Sequence, residues 1–177
     1  SMKKVTCVHK SNVLRITDGL FVKACTEVSK DYPDIIFEQM YVDACAMNLI
    51  RQPQKFDVIV TTNLFGDILS DESSQVVGGL GMAPAANIGD NFALFEPVHG
   101  AAFDIAGQNI ANPSSFLLSI KMMLDWLGAK HNDPKCFEVA TKLESTIFDL
   151  VKSGIKTKDI GGDSTTSEFT KQITDNL

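Results

Sequence analysis

The chain has 177 residues, of which 44% are hydrophobic, so it is long enough to bury a sizeable core and suits one ordinary domain. A net charge of −6 without any Lys/Arg cluster argues against a phosphate-tracking nucleic-acid binder, and no apolar run reaches the ~20 residues that span a bilayer. The four cysteines are scattered and form no CxxC pair, which argues against zinc and against a disulfide framework.

The first part of the chain alternates predicted strands and helices. Ser1-Met2 is typical of what remains after an expression tag is removed, and we leave it out of the fold reasoning. Apolar alternation and β-branched runs predict strands at Lys3–Val8, Ile35–Val42 and Val58–Thr62. Helical spacing predicts three helices: one begins at Thr17, one spans Ala44–Arg51, and one follows the third strand. This order predicts an α/β fold.

The second part is predicted to be mostly helical. Residues 78–90 are rich in Gly, Ala and Pro, so we expect a connection there, and the segment lacks the context of a GxGxxG phosphate loop. Further elements are predicted as a strand at 92–95, a loop from Glu96 to Ala102, one helical turn at 104–108, and helices at 114–127, 137–153 and 166–177. Asn112-Pro113 is expected to open the first of these helices and Gly128 to end it.

Two acidic residues follow the third predicted strand. In the stretch FDVIVTTNLFGDILSD, Gly66 is expected at the turn, and Asp67 and Asp71 lie four residues apart. On a helix they differ by only about 40° and share one face. Open α/β sheets usually bind ligands beyond the carboxyl ends of their strands. The same pattern equally fits ordinary solvated acids near a helix start, so this stretch alone leaves both interpretations open.

Several separate blocks of residues together resemble a known family. The chain is similar to the carboxyl-terminal half of a β-decarboxylating dehydrogenase of the isocitrate, 3-isopropylmalate and homoisocitrate type. The blocks that carry the resemblance are His9-Lys10-Ser11-Asn12-Val13 with Tyr41-Val42-Asp43, Asn63 to Asp71, Glu96-Pro97-Val98-His99-Gly100, Asp104-Ile105-Ala106-Gly107 and Asn109-Ile110-Ala111-Asn112-Pro113. The resemblance implies an isocitrate/isopropylmalate dehydrogenase-like α/β fold that lacks its amino-terminal half.

The resemblance implies a divalent-metal site shared between two subunits of a homodimer. Asp67 and Asp71 would bind Mg²⁺ or Mn²⁺ from one subunit, and Asp43 would come from the other. Hard divalent cations prefer such carboxylate oxygens. Lys10 would act as the general base on the substrate hydroxyl, or relay its proton. Asn12 would contact substrate and nicotinamide, and Val13 would lie near the group that distinguishes substrates.

The resemblance also implies a cofactor loop between Glu96 and Asn112. His99 and Asn112 would contact the adenine, and Gly100, Ala101 and Ala102 would pass close to the phosphates and ribose. Asp104, followed by Ile105, would accept hydrogen bonds from the adenosine ribose. NADP-dependent relatives place a lysine and a tyrosine at these two positions, so the resemblance implies NAD. Taken alone, His99 fits an ordinary structural loop histidine equally well.

Two departures from the family pattern stand out. Phe103 occupies a position where the family usually has proline, and the substrate-binding arginines and catalytic tyrosine belong to the absent half. We therefore expect a fragment, or a chain that pairs with another chain. Residues 1–77 would belong to the central, metal-binding and dimer-interface domain, and residues 78–177 to the large cofactor-binding domain.

The parent would oxidatively decarboxylate a 2-hydroxy acid such as 3-isopropylmalate or isocitrate. A non-catalytic fragment or subunit that binds metal or nucleotide is the alternative. No nucleic-acid or membrane partner is expected. A cytoplasmic location is the default expectation, with a mitochondrial parent left open.

Overall fold

The computed structural model describes residues 2–177, so Ser1 of the excluded pair lies outside the described residues. The chain separates into two compact units, one ending at Val76 and the other running from Val77 to Leu177. No helix within the described range is long and apolar enough to cross a membrane. The functional roles predicted for 1–77 and 78–177 stay predictions.

The first unit is built on a three-stranded parallel sheet. Its elements are β1 (Lys4–His9), α1 (Thr17–Ser29), β2 (Ile36–Tyr41), α2 (Val42–Arg51), a 3₁₀ turn (Pro53–Lys55), β3 (Val58–Thr61) and α3 (Asn63–Val76). The strand order is β2-β1-β3, with Val5 opposite both Phe37 and Val58. Because β1 is central, its last four residues are buried. All three strands therefore end at the same edge of the sheet.

The helices of this unit cover opposite faces of the sheet. Val8 of β1 packs with Cys45 and Leu49 of α2 and Leu69 of α3, which forms the core on one face. The other face carries α1, with an apolar groove between that helix and the strands. Side chains alternate along β1, so this strand supplies both faces.

The second unit combines an antiparallel hairpin with three helices. Its elements are β4 (Pro84–Ile88), β5 (Ala93–Pro97), a 3₁₀ turn (Phe103–Ile105), α4 (Ser114–His131), α5 (Pro134–Lys152), a 3₁₀ turn (Lys158–Ile160) and α6 (Thr166–Asn176). Its core is formed by Met82, Leu118, Leu143, Ile147, Leu150, Phe169 and Ile173. The start of α6 is fixed by a capping box, in which Thr165 and Glu168 exchange side-chain and backbone hydrogen bonds. The α/β prediction is confirmed.

Several local predictions for the first unit need correction. Gly66 lies inside α3 and not at the turn, because the helix already begins at Asn63. Asp43 lies within the first turn of α2, since the helix starts one residue earlier at Val42. Both differences shift a helix start towards its strand, and Asp43 therefore projects from a helix, as Asp67 and Asp71 were expected to do.

The second unit departs further from the sequence-based expectations. Residues 84–88 form β4, although their Gly, Ala and Pro content predicted a connection. Glu96 lies in β5 and not in the following loop. Helix α4 continues past Gly128 to His131, and Asn132 ends it in the left-handed conformation. The missing side chain of Gly128 instead admits the neighbouring helix, because a Cβ there would lie 2.9 Å from the Phe137 ring.

Candidate active site

Lys10 and Asp43 meet at the carboxyl edge of the parallel sheet. Lys10 directly follows β1 and Asp43 lies just beyond β2, so strand pairing brings the two side chains together. The Lys10 ammonium donates to Asp43 Oδ1, and it also lies 5.8 Å from the centre of the Tyr41 ring. The hydrogen bond from Lys10 lowers the pKa of the Asp43 carboxyl below its usual value. A cation and a carboxylate are thus paired where α/β sheets usually bind ligands.

The loop after Lys10 presents Asn12 and Val13 to solvent. Both residues are exposed, and Val13 retains 66% of its accessible surface. The loop begins with a tight turn, because the Lys10 carbonyl accepts the amides of Val13 at 2.9 Å and Leu14 at 2.8 Å. These two positions are accessible to a small molecule, as their predicted substrate contacts require.

Asp67 and Asp71 lie on α3, which follows β3 at the same edge of the sheet. Both are exposed, whereas Leu69 between them is buried in the core. Their backbone carbonyls accept hydroxyls of Ser70 and Ser74, which leaves the two carboxylates outside these helix contacts. Two accessible carboxylates on one helix face suit a hard divalent cation.

A complete metal-binding cluster is not formed by a single copy. In the part of the chain that the structure describes, no three His, Cys, Asp or Glu side chains come together to hold a metal ion. The donor set of Asp67 and Asp71 fits Mg²⁺ or Mn²⁺ in chemical type but needs further ligands. The predicted contribution of Asp43 from another subunit is one source of them, and it stays a prediction.

The predicted cofactor loop is open and largely exposed. A Cβ on Gly100 would meet no atom within 4 Å, and Ala102 adopts a left-handed conformation with φ 42°. His99, Asp104 and the neighbouring alanines are exposed, while Ile105 is half-buried. Glu96 belongs to β5, where its carboxylate accepts the Asn87 amide at 3.2 Å. This loop therefore offers backbone groups and one accessible carboxylate, which suits a polar nucleotide.

Phe103 is an exposed aromatic residue within this loop. It keeps 88% of its accessible surface and opens the 3₁₀ turn that contains Asp104. The turn itself is retained, because the Ile105 amide donates to the Ala102 carbonyl at 3.1 Å. The phenylalanine in place of the family's usual proline is accommodated without loss of the turn.

Asn112 is held in one orientation by two partners. Its Oδ1 accepts the Ser114 amide at 3.0 Å at the start of α4, and its Nδ2 donates to Asp159 Oδ2 at 3.0 Å. Asp159 is in turn bound by the Thr157 hydroxyl at 2.6 Å. Sequence reasoning missed Asp159, because it stands in a polar loop far from the recognised blocks and only the fold brings it to Asn112.

Asp18 is a second residue whose importance the sequence did not reveal. The predicted helix start at Thr17 places Asp18 in an ordinary first turn, yet the residue is 3% exposed and its side chain accepts the Lys10 amide at 2.6 Å. An aspartate in the first turn of a helix is ordinary, so composition gave no signal of this contact.

Comparisons with known proteins agree across nearly the whole chain. The isocitrate/isopropylmalate dehydrogenase profile matches residues 1–175. A 3-isopropylmalate dehydrogenase of Sulfurisphaera tokodaii is 55% identical over 99% of this chain and 52% of its own length. An isocitrate/homoisocitrate dehydrogenase of Thermus thermophilus is 50% identical over 99% of this chain and 50% of its own.

A solved structure agrees as well. The crystal structure of isocitrate dehydrogenase from Methylococcus capsulatus superposes with a TM-score of 0.90 at 45% identity, covering 98% of this chain and 50% of that one. The chain therefore spans about half the length of the curated relatives it matches. The predicted resemblance and the incomplete fold are both confirmed.

Proposed function

This chain belongs to the isocitrate/isopropylmalate dehydrogenase family, and we propose that the complete enzyme containing it oxidatively decarboxylates a 2-hydroxy acid such as 3-isopropylmalate or isocitrate. The carbon that bears the hydroxyl would lose a hydride and the hydroxyl a proton, and the resulting 2-oxo acid would release CO₂ to leave an enolate, which would then take up a proton. NAD, when bound, would supply the hydride acceptor. The names of the relatives support this class of reaction without choosing the substrate.

The pairing of Lys10 with Asp43 is the observation that carries the proposal. Lys10, once its amine is neutral, would take the proton of the substrate hydroxyl, a role that requires a positioned amine within hydrogen-bond reach. Its side chain is half-buried, and its ammonium is held by Asp43 and the Tyr41 ring. This arrangement restricts a flexible side chain to one region at the edge of the sheet. Asn12 and Val13 would line the substrate side of the same loop.

The metal would be held by Asp67 and Asp71, together with Asp43 from a second copy of the chain. When bound, Mg²⁺ or Mn²⁺ would withdraw electron density from the substrate oxygens and so stabilise the charge that builds up during loss of CO₂. The accessible carboxylates of α3 support this assignment. Because the assignment takes Asp43 from a second copy, it implies a homodimer; within one copy, no three such ligands come together in the described part of the chain.

NAD would bind along the loop from His99 to Asn112. Gly100, Ala101 and Ala102 would let the backbone approach the phosphates, and Asn112 would meet the adenine in the orientation that Asp159 and Ser114 impose. The exposed carboxylate of Asp104 would accept hydrogen bonds from the ribose hydroxyls and repel a 2′-phosphate. These contacts support NAD over NADP.

A non-catalytic role for the 177-residue chain by itself is the second candidate. It is favoured by one observation, the coverage of only about half of each relative's length. In that case the chain would bind metal or nucleotide and depend on further polypeptide for turnover.

Steady-state assays separate these candidates. The 177-residue chain and the complete enzyme are each supplied with NAD, Mg²⁺ and either 3-isopropylmalate or isocitrate, and NADH is followed by absorbance. We expect turnover only from the complete enzyme, and light scattering should give a dimer. Turnover by the 177-residue chain would contradict the need for additional polypeptide, and a monomeric active enzyme would contradict the shared metal site.

A further inference from the structure

We propose that Asp18 is a positioning residue for Lys10, fixing the backbone from which the catalytic amine projects. This inference rests on the proposed role of Lys10 in removing the hydroxyl proton. Asp18 itself touches neither substrate nor cofactor in this scheme, and it acts through the peptide unit of Lys10.

The hydrogen bonds around Lys10 form a closed loop. The Lys10 amide donates to Asp18 Oδ2 at 2.6 Å, while the Lys10 carbonyl accepts the amides of Val13 and Leu14. The Asp18 amide then donates to the Leu14 carbonyl at 3.0 Å. Both backbone polar groups of Lys10 are therefore fixed, one of them by the side chain of Asp18. Loss of that side chain would leave the amide of Lys10 without its partner.

The buried carboxylate of Asp18 has no ion-pair partner among the described residues. The residue is 3% exposed, and none of the ion pairs formed by residues 2–177 involves it. Asp18 Oδ1 also accepts the Thr17 hydroxyl at 3.4 Å, and its charge favours the protonated forms of Cys7 and His9. A buried carboxylate without a cation is costly even at the start of a helix, where the dipole is favourable.

The charge nevertheless strengthens the contact with Lys10. A hydrogen bond to an ionised acceptor is shorter and roughly twice as strong as one between neutral groups. A neutral asparagine at position 18 would retain an acceptor oxygen and a weaker bond, whereas leucine would retain neither. The two substitutions therefore separate loss of the acceptor from loss of the branched side-chain shape, since all three side chains branch at Cγ and have the same number of non-hydrogen atoms.

The test compares Asp18→Asn, Asp18→Leu and Lys10→Met in the complete enzyme. We expect Asp18→Leu to lower kcat at least about tenfold, with KM for NAD changed less than about twofold, because the reacting amine is misplaced while the cofactor loop is untouched. Asp18→Asn, which keeps an acceptor oxygen, should retain a kcat within about threefold of that of the unmodified enzyme. Equal effects of Asn and Leu, or a loss confined to KM for NAD, would overturn the inference.

Leu49→Ala is the control for stability. Leu49 is buried in the core of the same unit, on the far end of α2 from Asp43. The substitution Leu49→Ala should lower the unfolding temperature, but kcat measured below that temperature should not fall tenfold. If Leu49→Ala reduces kcat as much as Asp18→Leu at matched stability, Asp18 is only structural and the inference is wrong.

Amide hydrogen exchange tests the contact directly, even if Asp18→Leu does not fold. In Asp18→Asn the Lys10 amide should exchange several-fold faster, while the Val8 amide in the middle of the sheet keeps its rate. An unchanged Lys10 rate would contradict the positioning role. Retention of kcat by Lys10→Met would instead contradict the proposed function, so the two failures are distinguishable.

Discussion

The side-chain amide of Asn112 donates a 3.0 Å hydrogen bond to the carboxylate of Asp159, which lies 47 residues further along the chain. This contact joins the end of the predicted cofactor loop to the segment before α6. Gly81 lies directly against the pair, since a Cβ there would fall 2.7 Å from Asp159 Oδ2 and 3.0 Å from Asn112 Cβ. Close approach at Gly81 therefore depends on the absence of a side chain.

Gly81→Ala should weaken cofactor binding more than it weakens the fold. The added methyl group must displace the flexible carboxylate of Asp159, which releases Asn112 from its orientation. In the complete enzyme we expect KM for NAD to rise about three- to tenfold, corresponding to roughly 0.7–1.4 kcal/mol. Gly89→Ala is the matched control, because its Cβ would meet only an ordinary 3.4 Å contact. Equal changes in KM for both variants would exclude a specific role for the Asn112–Asp159 pair.

Replacing Asp104 by lysine together with Ile105 by tyrosine should shift cofactor preference towards NADP. Asp104 is exposed, and its backbone carbonyl, which accepts the Gln108 amide at 2.7 Å, is unaffected by a change of side chain. The substitution replaces repulsion of a 2′-phosphate with attraction. We expect the ratio of kcat/KM values for NADP and NAD to rise at least about a hundredfold, or about 2.7 kcal/mol.

The unmodified enzyme gives the matching baseline for that prediction. Its kcat/KM should be higher with NAD than with NADP when both are measured under the same conditions. A higher value with NADP would refute the assignment of Asp104 to the ribose hydroxyls. A double variant that loses activity equally with both cofactors would also count against it.

Asp67→Asn should cost activity far more than stability. The Asp67 side chain is exposed on α3, and surface substitutions of this kind usually change the free energy of unfolding by less than about 0.5 kcal/mol. Loss of one charged metal ligand should lower kcat/KM at least about a hundredfold at low Mg²⁺ concentration. The control is Asp34→Asn, an exposed acid in the same unit outside the predicted site. Parallel losses of activity and stability at Asp67 would favour an ordinary helix residue.

The alternation of strands and helices in the first unit can be predicted from the sequence because the physical signals for each element are local. A continuous β-branched run such as that of β3 favours a parallel strand even though β3 is only partly buried, and α1 begins at the predicted Thr17. The largest failure, the missed strand β4, concerns a stretch of small residues. The Pro84–Ile88 strand carries few β-formers, and α4 holds the hairpin through side chains, with Ser115 donating to the Ala83 carbonyl and Ser119 to that of Glu96. Such long-range hydrogen bonds leave no periodic pattern in the strand itself.

The chemistry of the site was predicted from motifs, but its supporting contacts were not. Lys10 and Asp43 each follow a strand, so their proximity could be inferred once the parallel order was assumed. Asp18 and Asp159 instead act by orienting other residues, and their roles depend on the path of a turn or on a contact across 47 residues. A polar residue in a loop has the same sequence appearance whether it is solvated or holds a neighbour in place.

The folded first unit should lose stability as pH falls below about 6.5, because of His9. Burial lowers the pKa of His9 from its usual 6.5, although the nearby Asp18 charge opposes this shift. Its Nδ1 accepts the Ser11 amide at 3.2 Å, and its ring meets Tyr41 edge-on, so protonation would remove an acceptor in a buried position. The unfolded chain binds the proton more readily than the folded one, and stability therefore rises with pH across this window.

Denaturant unfolding of the chain between pH 5.5 and 7.5 should show this slope, which His9→Gln should reduce, since glutamine offers a non-titrating acceptor. Nuclear magnetic resonance of the ring should place its titration midpoint below 6.5, and a midpoint above that value would show that Asp18 outweighs burial. A slope unchanged in His9→Gln would show that His9 is not its source.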